Sequence, residues 1–348
     1  MTRQTFNVAI VGATGAVGEQ MIRTLEKLDF PVDTLLLLSS KRSAGKQLTF
    51  KGEQLTVQEA KPESFEGIQL ALFSAGGSVS KALAPEAVKR GAIVVDNTSA
   101  FRMDEDVPLI VPEVNTQALK RHKGIISNPN CSTIQMVAAL EPVRKAFGLK
   151  RIVVSTYQAV SGAGVDAIDE MYEQSRQILN DESIDPQILP VSGDKKHYQI
   201  AFNAVPQIDV FQENGFTFEE MKMINETKKI MEDESLQVAA TCVRLPVETG
   251  HSESVYIEVE KDGLNVEGIW KLLNEAEGVT LQDDPQNQIY PLASESKGRD
   301  DVFVGRIRQD LDQPKGFHMW IVADNLLKGA ALNSVQIAFS LIKLGLLK

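Results

Sequence analysis

Residues 6–20 read FNVAIVGATGAVGEQ. An apolar, β-rich run ends at Val11, glycines follow at 12, 15 and 18, and a helical pattern (EQMIRTLEKL, 19–28) opens directly behind them. A strand, a glycine turn and a helix N-terminus together make a pyrophosphate site, because absent side chains let backbone N–H groups approach the phosphates. The spacing is GxxGxxG rather than the commoner GxGxxG, and glycines alone leave open an ordinary tight turn between strand and helix. Placement directly after a clear strand favours the dinucleotide reading.

Outward from this turn the same alternation continues. TLLLLS (34–39), LALFSAGG (70–77) and AIVVDNTS (92–99) read as continuous apolar strands, with KALAPEAVKRG (81–91) as a helix between them. Buried strands punctuated by helices predict a parallel sheet covered on both faces, a Rossmann-type α/β domain. The end of the second strand, LLLLSSKRSAGK (35–46), carries no acid to bind a ribose 2′-OH. It offers Lys41, Arg42 and Ser39, Ser40 and Ser43 as donors, which suit a 2′-phosphate and favour NADP. A solvated basic loop is the plainer alternative.

The texture changes after SNPNCSTIQ (127–135). Pro129 and Asn130 mark a turn, and the residues after Cys131 fall at helical spacing towards a stop at Gly148. Cys131 is therefore expected at a helix N-terminus, where unpaired N–H groups and the helix dipole favour a thiolate. Pro142 predicts a kink or an early end. Beyond it, RIVVSTYQAV (151–160), LQVAATCVRLPV (236–247), SESVYIEVE (252–260), DVFVGRIRQD (301–310) and HMWIVADN (318–325) are strand candidates, with NVEGIWKLLNEAEG (265–278) as a covering helix. Val255, Ile257 and Val259 alternate with Ser254, Tyr256 and Glu258, which suggests a sheet with one more polar face.

A chain of 348 residues is long for one core and implies two domains. A net charge of −11 argues against nucleic acid or an anionic membrane as main partner. Two distant cysteines make no disulfide framework, and Cys131, Cys242 and His251 lack close metal-ligand spacing, so no metal is expected. The N-terminus lacks the apolar run of a signal peptide, and the reading is a cytoplasmic protein with no membrane partner.

The chain closely resembles the aspartate-semialdehyde dehydrogenase family, particularly its Gram-positive bacterial branch. The resemblance is carried by GATGAVG (12–18), SNPNCS (127–132), YQAVSGAG (157–164), FTFEEMK (216–222), RLPVETGHSE (244–253) and DNLLKGAALNS (324–334). It implies Cys131 as nucleophile, His251 as general acid/base and Gln158 as the residue orienting substrate and acyl intermediate. It also implies Arg244 for the substrate α-carboxylate, Glu219 for its ammonium, and Arg102, Asn130 and Lys222 for phosphate. Gly12, Thr14, Gly15, Ala16, Val17, Arg42, Ser43, Ser161, Gly162 and Asn325 are the implied NADP positions. The implied architecture is an NADP-binding Rossmann-like domain (1–131 and 325–348), its last helix returning from an α+β catalytic and dimerisation domain (132–324). The implied activity interconverts 4-aspartyl phosphate with aspartate semialdehyde and phosphate in lysine, threonine and methionine biosynthesis. The assembly would be a homodimer that could pair into a homotetramer.

Plainer readings stand beside these roles. His251 follows Gly250 in a polar turn, Glu219 and Lys222 are helical neighbours that could form a surface pair, and Arg244 could be a structural charge. An N-acetylglutamyl-phosphate reductase would share the cysteine and cofactor, though Glu219, placed for a free ammonium, argues against it. A nucleotide-sensing protein with a dead site is the alternative of another class.

Overall fold

The structure, a computed structural model, describes residues 4–348. The chain forms two compact units, residues 1–130 with 330–348 and residues 131–329. The dividing lines place Cys131 and Asn325 in the second unit.

The first unit is built on a parallel sheet. In chain order its strands are β1 (Phe6–Val11), β2 (Val32–Ser39), the hairpin β3 (Gln47–Phe50) and β4 (Glu53–Thr56), β5 (Gln58–Glu59), β6 (Leu70–Phe73), β7 (Ile93–Asp96) and β8 (Ile125–Ser127). All but the hairpin join one sheet in the order β5-β2-β1-β6-β7-β8. Every ladder in it is parallel. The chain winds from β1 to β2 in one direction and then to β6 on the other side of β1. This reversal opens a crevice at the strand C-termini, where ligands of such sheets bind. Helix α1 (Ala16–Lys27) buries Met21, Ile22 and Leu25 on one face, and α2 (Gly77–Lys89) buries Leu83, Ala84 and Ala87 on the other. The strands are buried on both faces, so they read as continuous apolar runs. A short α3 (Pro112–Asn115) precedes β8.

The second unit begins at α4 (Cys131–Phe147). Its sheet comprises β9 (Arg151–Gln158), β10 (Gln237–Arg244), β11 (His251–Glu258), β12 (Val279–Leu281), β13 (Val302–Gln309) and β14 (Gly316–Ala323), ordered β10-β9-β11-β14-β13-β12. Between them run α5 (Val165–Leu179), α6 (Phe218–Met231), α7 (Val266–Asn274) and a short α8 (Ala293–Ser296). Helices α4, α6 and α7 cover one face of this sheet. The other face presents Tyr157, Trp320, Tyr256 and His318, half-buried and packed in pairs 5.4 and 4.9 Å between ring centroids. The alternation at Val255, Ile257 and Val259 thus marks the covered face.

Helix α4 departs from one expectation. It does not end at Pro142 but continues to Phe147, and Gly148, at φ +71°, supplies the stop. Burial of Ile134, Val137, Leu140 and Val143 against the unit's core offsets the hydrogen bond that proline removes. After a π-helical turn (Leu327–Ala331), α9 (Leu332–Lys343) rejoins the first unit. Its Val335, Ile337, Ala338 and Leu341 enter the α1-side core, and Phe339 meets Phe30 edge-on at 5.0 Å.

Candidate active site

Topology brings the predicted catalytic residues to one end of the second sheet. β9 and β10 run parallel, with Gln158 opposite Arg244 at their C-terminal ends. β11 runs antiparallel to β9, so its first residue, His251, starts where β9 finishes. Three residues separated by up to 93 positions therefore share one edge, and the next strand, β14, pairs Ala323 with His251 and carries Asn325 just beyond.

The hub of the cluster is the backbone of Ala159. Its N–H donates to His251 Nδ1 at 3.0 Å, and its carbonyl accepts from Arg244 Nη1 at 2.7 Å. A peptide N–H is always a donor, so Nδ1 is bare and the neutral ring carries its proton on Nε2. His251 is fully buried, and burial together with the Arg244 charge pulls its pKa down to about 3. Its Nε2 has no hydrogen-bond partner. The solvated-turn reading of His251 is therefore excluded. Arg244 is buried too, and desolvation lowers its pKa, while the charges of Glu219 and Cys131 oppose that shift.

Cys131 is the first residue of α4 and half-buried. A Cβ added at Gly329 would lie 2.7 Å from Cys131 Cβ, so the wall beside the thiol accepts only glycine. Gly162, in the turn after β9, is similarly confined. A Cβ there would lie 3.0 Å from Arg244 Nη1 and 3.5 Å from His251 Nε2. Cys242 lies two residues before Arg244 on the same buried face of β10, and burial pushes its thiol far above the ordinary range.

Glu219 occupies the first turn of α6, whose start is fixed by a capping box between Thr217 and Glu220. Its Oε1 accepts from Gln158 Nε2 at 3.1 Å and its Oε2 from Lys222 Nζ at 3.1 Å. Lys222 Nζ also meets Asp209 Oδ2 at 2.8 Å and stands 4.6 Å from the centre of the Phe218 ring. The Glu219 and Lys222 side chains are only 6% and 14% exposed, so their pair is no solvated surface contact. Ser161 and Asn325 bond side chain to side chain at 3.0 Å, and Asn325 Oδ1 accepts from Gly250 N–H at 2.9 Å.

The remaining predicted residues belong to the first unit. A cavity of about 720 Å³ at the ends of β1, β2 and β6 is lined by Gly12, Thr14, Gly15, Arg42 and Ser43, together with Ser39, Ser40, Lys41 and Lys46. Gly12 is required in two ways. Its φ is +90°, and a Cβ there would lie 2.9 Å from the Ser74 and Ala75 backbone. At Gly18 a Cβ would lie 2.1 Å from Gly12 O, so that glycine serves the close packing of helix on turn. Thr14 Oγ1 and Ser39 Oγ are hydrogen-bonded at 2.9 Å. Ala16 and Val17 open α1 but do not line the cavity. Arg102 is buried and donates from Nη2 to Asn97 O at 2.9 Å, and Asn130 is buried immediately before Cys131.

This cavity fits a dinucleotide carrying a 2′-phosphate. It pairs a glycine cradle at a helix N-terminus with three basic side chains. The one acid on its lining, Glu59, pairs with Lys61 Nζ at 2.9 Å. Lys46 and Glu59 escaped the sequence reading, because they come from positions after the second strand that only the fold brings round. Asp209 and Ala159 were missed as well. Asp209, at φ +66°, lies outside every recognised motif, and Ala159 acts through its backbone, which leaves no side-chain signal.

Comparison with known proteins gives the class first. Residues 7–122 match the semialdehyde dehydrogenase NAD binding domain family, and residues 140–328 match the semialdehyde dehydrogenase dimerisation domain family. Among curated relatives, the aspartate-semialdehyde dehydrogenase of Bacillus subtilis (strain 168) is 72% identical over 98% of both chains. That of Aquifex aeolicus is 54% identical over 98% of this chain and 99% of its own. The aspartate semialdehyde dehydrogenase II of Vibrio cholerae, solved in complex with ASA, superposes with a TM-score of 0.93 at 46% identity, covering 98% of this chain and 99% of that one. The Candida albicans enzyme, solved with NADP, gives 0.77 at 26% identity over 99% and 100%. The chain belongs to the aspartate-semialdehyde dehydrogenase family.

Proposed function

We propose that this chain catalyses the reversible NADP-linked interconversion of 4-aspartyl phosphate with L-aspartate 4-semialdehyde and phosphate, through a thioester on Cys131. The observation that carries the reading is the meeting of Gln158, Arg244 and His251 around the Ala159 peptide, with Cys131 within electrostatic reach of Arg244.

In the biosynthetic direction the Cys131 thiolate attacks the acyl carbon, the bond to phosphate oxygen breaks, and a thioester forms. Covalent capture splits one difficult displacement into two easier steps. N–H groups at the start of α4 stabilise the developing oxyanion, and the Nε2–H of His251 is a second donor for it. Arg244 grips the α-carboxylate with the rest of its guanidinium fork, and Glu219 receives the ammonium while Gln158 orients the acyl group. Bound carboxylate offsets the Arg244 charge that depresses His251, so the imidazole becomes a better proton carrier once substrate is in place. Arg102, Asn130 and Lys222 hold the departing phosphate. Gly12, Thr14, Gly15, Ala16, Val17, Arg42 and Ser43 hold the cofactor, and the family resemblance adds Ser161, Gly162 and Asn325 to the set. When bound, the nicotinamide supplies the hydride transfer.

The protein acts in the cytoplasm as a homodimer, with the aromatic face of the second sheet (Tyr157, Trp320, Tyr256, His318) covered by a second copy. Among the described residues no helix is long and apolar enough to cross a membrane. Sedimentation distinguishes a dimer from a tetramer. The deciding experiment is phosphate-dependent NADP reduction with aspartate semialdehyde against N-acetylglutamate semialdehyde. Turnover of the first alone is expected. Preference for the second, or no turnover of either, overturns the assignment.

A further inference from the structure

One buried acid takes no part in the chemistry above. Glu253 sits in β11 two residues after His251, on the same covered face of the sheet, and is 0% exposed. Neither of its carboxyl oxygens has a hydrogen-bond partner. Its side chain lies against that of Gln135, which is also fully buried and whose Oε1 likewise has no partner. Gln135 belongs to α4, four residues after Cys131 and so on the same side of the helix. Its Nε2 donates to the backbone carbonyl of His251 at 3.2 Å.

The two carboxyl oxygens of Glu253 and the amide oxygen of Gln135 are thus all buried without a hydrogen-bond partner, on two side chains that lie against each other. An ionised carboxylate would bury a charge with only the neutral Gln135 amide beside it to offset the lost solvation, a costly arrangement in a protein interior. The acid form turns one acceptor into an O–H donor. Burial acts in the same direction, raising the Glu253 carboxyl well above the ordinary range, and the Gln135 amide opposes it only in part. Cys242 is a further titratable neighbour, and its own buried thiol is held in the neutral form.

We propose that Glu253 is a positioning residue that works as a neutral carboxylic acid and, through Gln135, braces the helix carrying Cys131 against the strand carrying His251. The brace joins the first turns of α4 to the first residues of β11, the two segments whose separation sets how nucleophile and imidazole meet. Its catalytic meaning rests on the roles proposed above for Cys131 and His251; the protonation state does not.

The test uses the full-length protein and the variants Glu253→Gln, Glu253→Met and Gln135→Leu. Glutamine keeps an uncharged donor, whereas methionine keeps length and removes every polar atom. Glu253→Gln is expected to hold kcat within about twofold of the parent. Glu253→Met and Gln135→Leu should lower kcat about tenfold or more, the scale of one lost buried hydrogen bond, with KM and NADP affinity within about twofold. The infrared difference spectrum between parent and Glu253→Gln at neutral pH should contain the carbonyl band of a protonated acid. Carboxylate bands in its place overturn the proposal, as does a Glu253→Gln variant as impaired as Glu253→Met, or a Glu253→Met variant as active as the parent. If Glu253→Met fails to fold, the infrared band and the Glu253→Gln activity decide the matter. A failure of the thioester reading would appear separately, as turnover surviving loss of Cys131.

Discussion

Replacing His251 with asparagine should make the fold less sensitive to acid. In the folded protein the imidazole is buried and bare at Nδ1, with its pKa near 3, against 6.5 for the ordinary group. Between these values the unfolded chain binds a proton that the folded chain refuses, so stability falls as pH falls through the unfolded pKa towards the folded one. From about pH 8 to about pH 5 this single group should remove about 2 kcal/mol, and over the whole window roughly 5 kcal/mol, each pKa unit being about 1.4 kcal/mol. Asparagine places Oδ1 near the position of Nδ1 and can still accept from Ala159 N–H, yet it does not titrate. Urea unfolding of parent and variant at the two pH values gives the difference directly, since every other titrating group is common to both. The parent should lose about 2 kcal/mol more than His251→Asn. Equal losses, within about 0.5 kcal/mol, would refute the claim that the folded site holds a neutral imidazole.

Other outcomes follow from the same geometry. Cys131→Ala should abolish turnover while leaving NADP binding nearly intact by fluorescence titration, and Cys242→Ala, at a buried thiol outside the reaction, should be nearly silent in kcat. Arg244→Lys should lower kcat/KM about tenfold to a hundredfold, because an ammonium cannot both bond Ala159 O and present a planar pair of donors to a carboxylate. Unchanged steady-state constants would remove Arg244 from the substrate site. Arg42→Ala should weaken NADP about tenfold to a hundredfold and NAD far less, the ratio of dissociation constants being the readout. A parallel loss for both cofactors would mean that Arg42 shapes its loop instead.

Much of the first unit was legible because its signals are local. A buried parallel strand is a continuous apolar run, and the turn after β1 shows its glycines in sequence order. The start of α4 at Cys131 was readable for the same reason. The early end that Pro142 allowed does not occur, since local propensity gave way to tertiary burial along α4. The site of the second unit is a matter of long-range pairing. Nothing near Gln158, Arg244 or His251 announces that β9 and β10 run parallel while β11 returns antiparallel, and only that arrangement brings them together. The roles proposed for them rest on family resemblance, whereas Ala159, Asp209, Gln135 and Glu253 stand out only in the folded structure. Three of these present backbone groups or unpaired oxygens, which leave no compositional trace.

The double use of Ala159 has a bearing on engineering. Because one residue's N–H anchors the imidazole and its carbonyl anchors the guanidinium, the roles proposed for Arg244 and His251 gear ligand choice and proton handling to the same short piece of main chain. A designer who swaps Arg244 to admit a substrate without a carboxylate also slackens the peptide that sets the histidine's tautomer. Attempts to broaden this enzyme one residue at a time should therefore lose rate along with selectivity, and recovery should come from substitutions that re-anchor the turn after β9 rather than from the pocket wall.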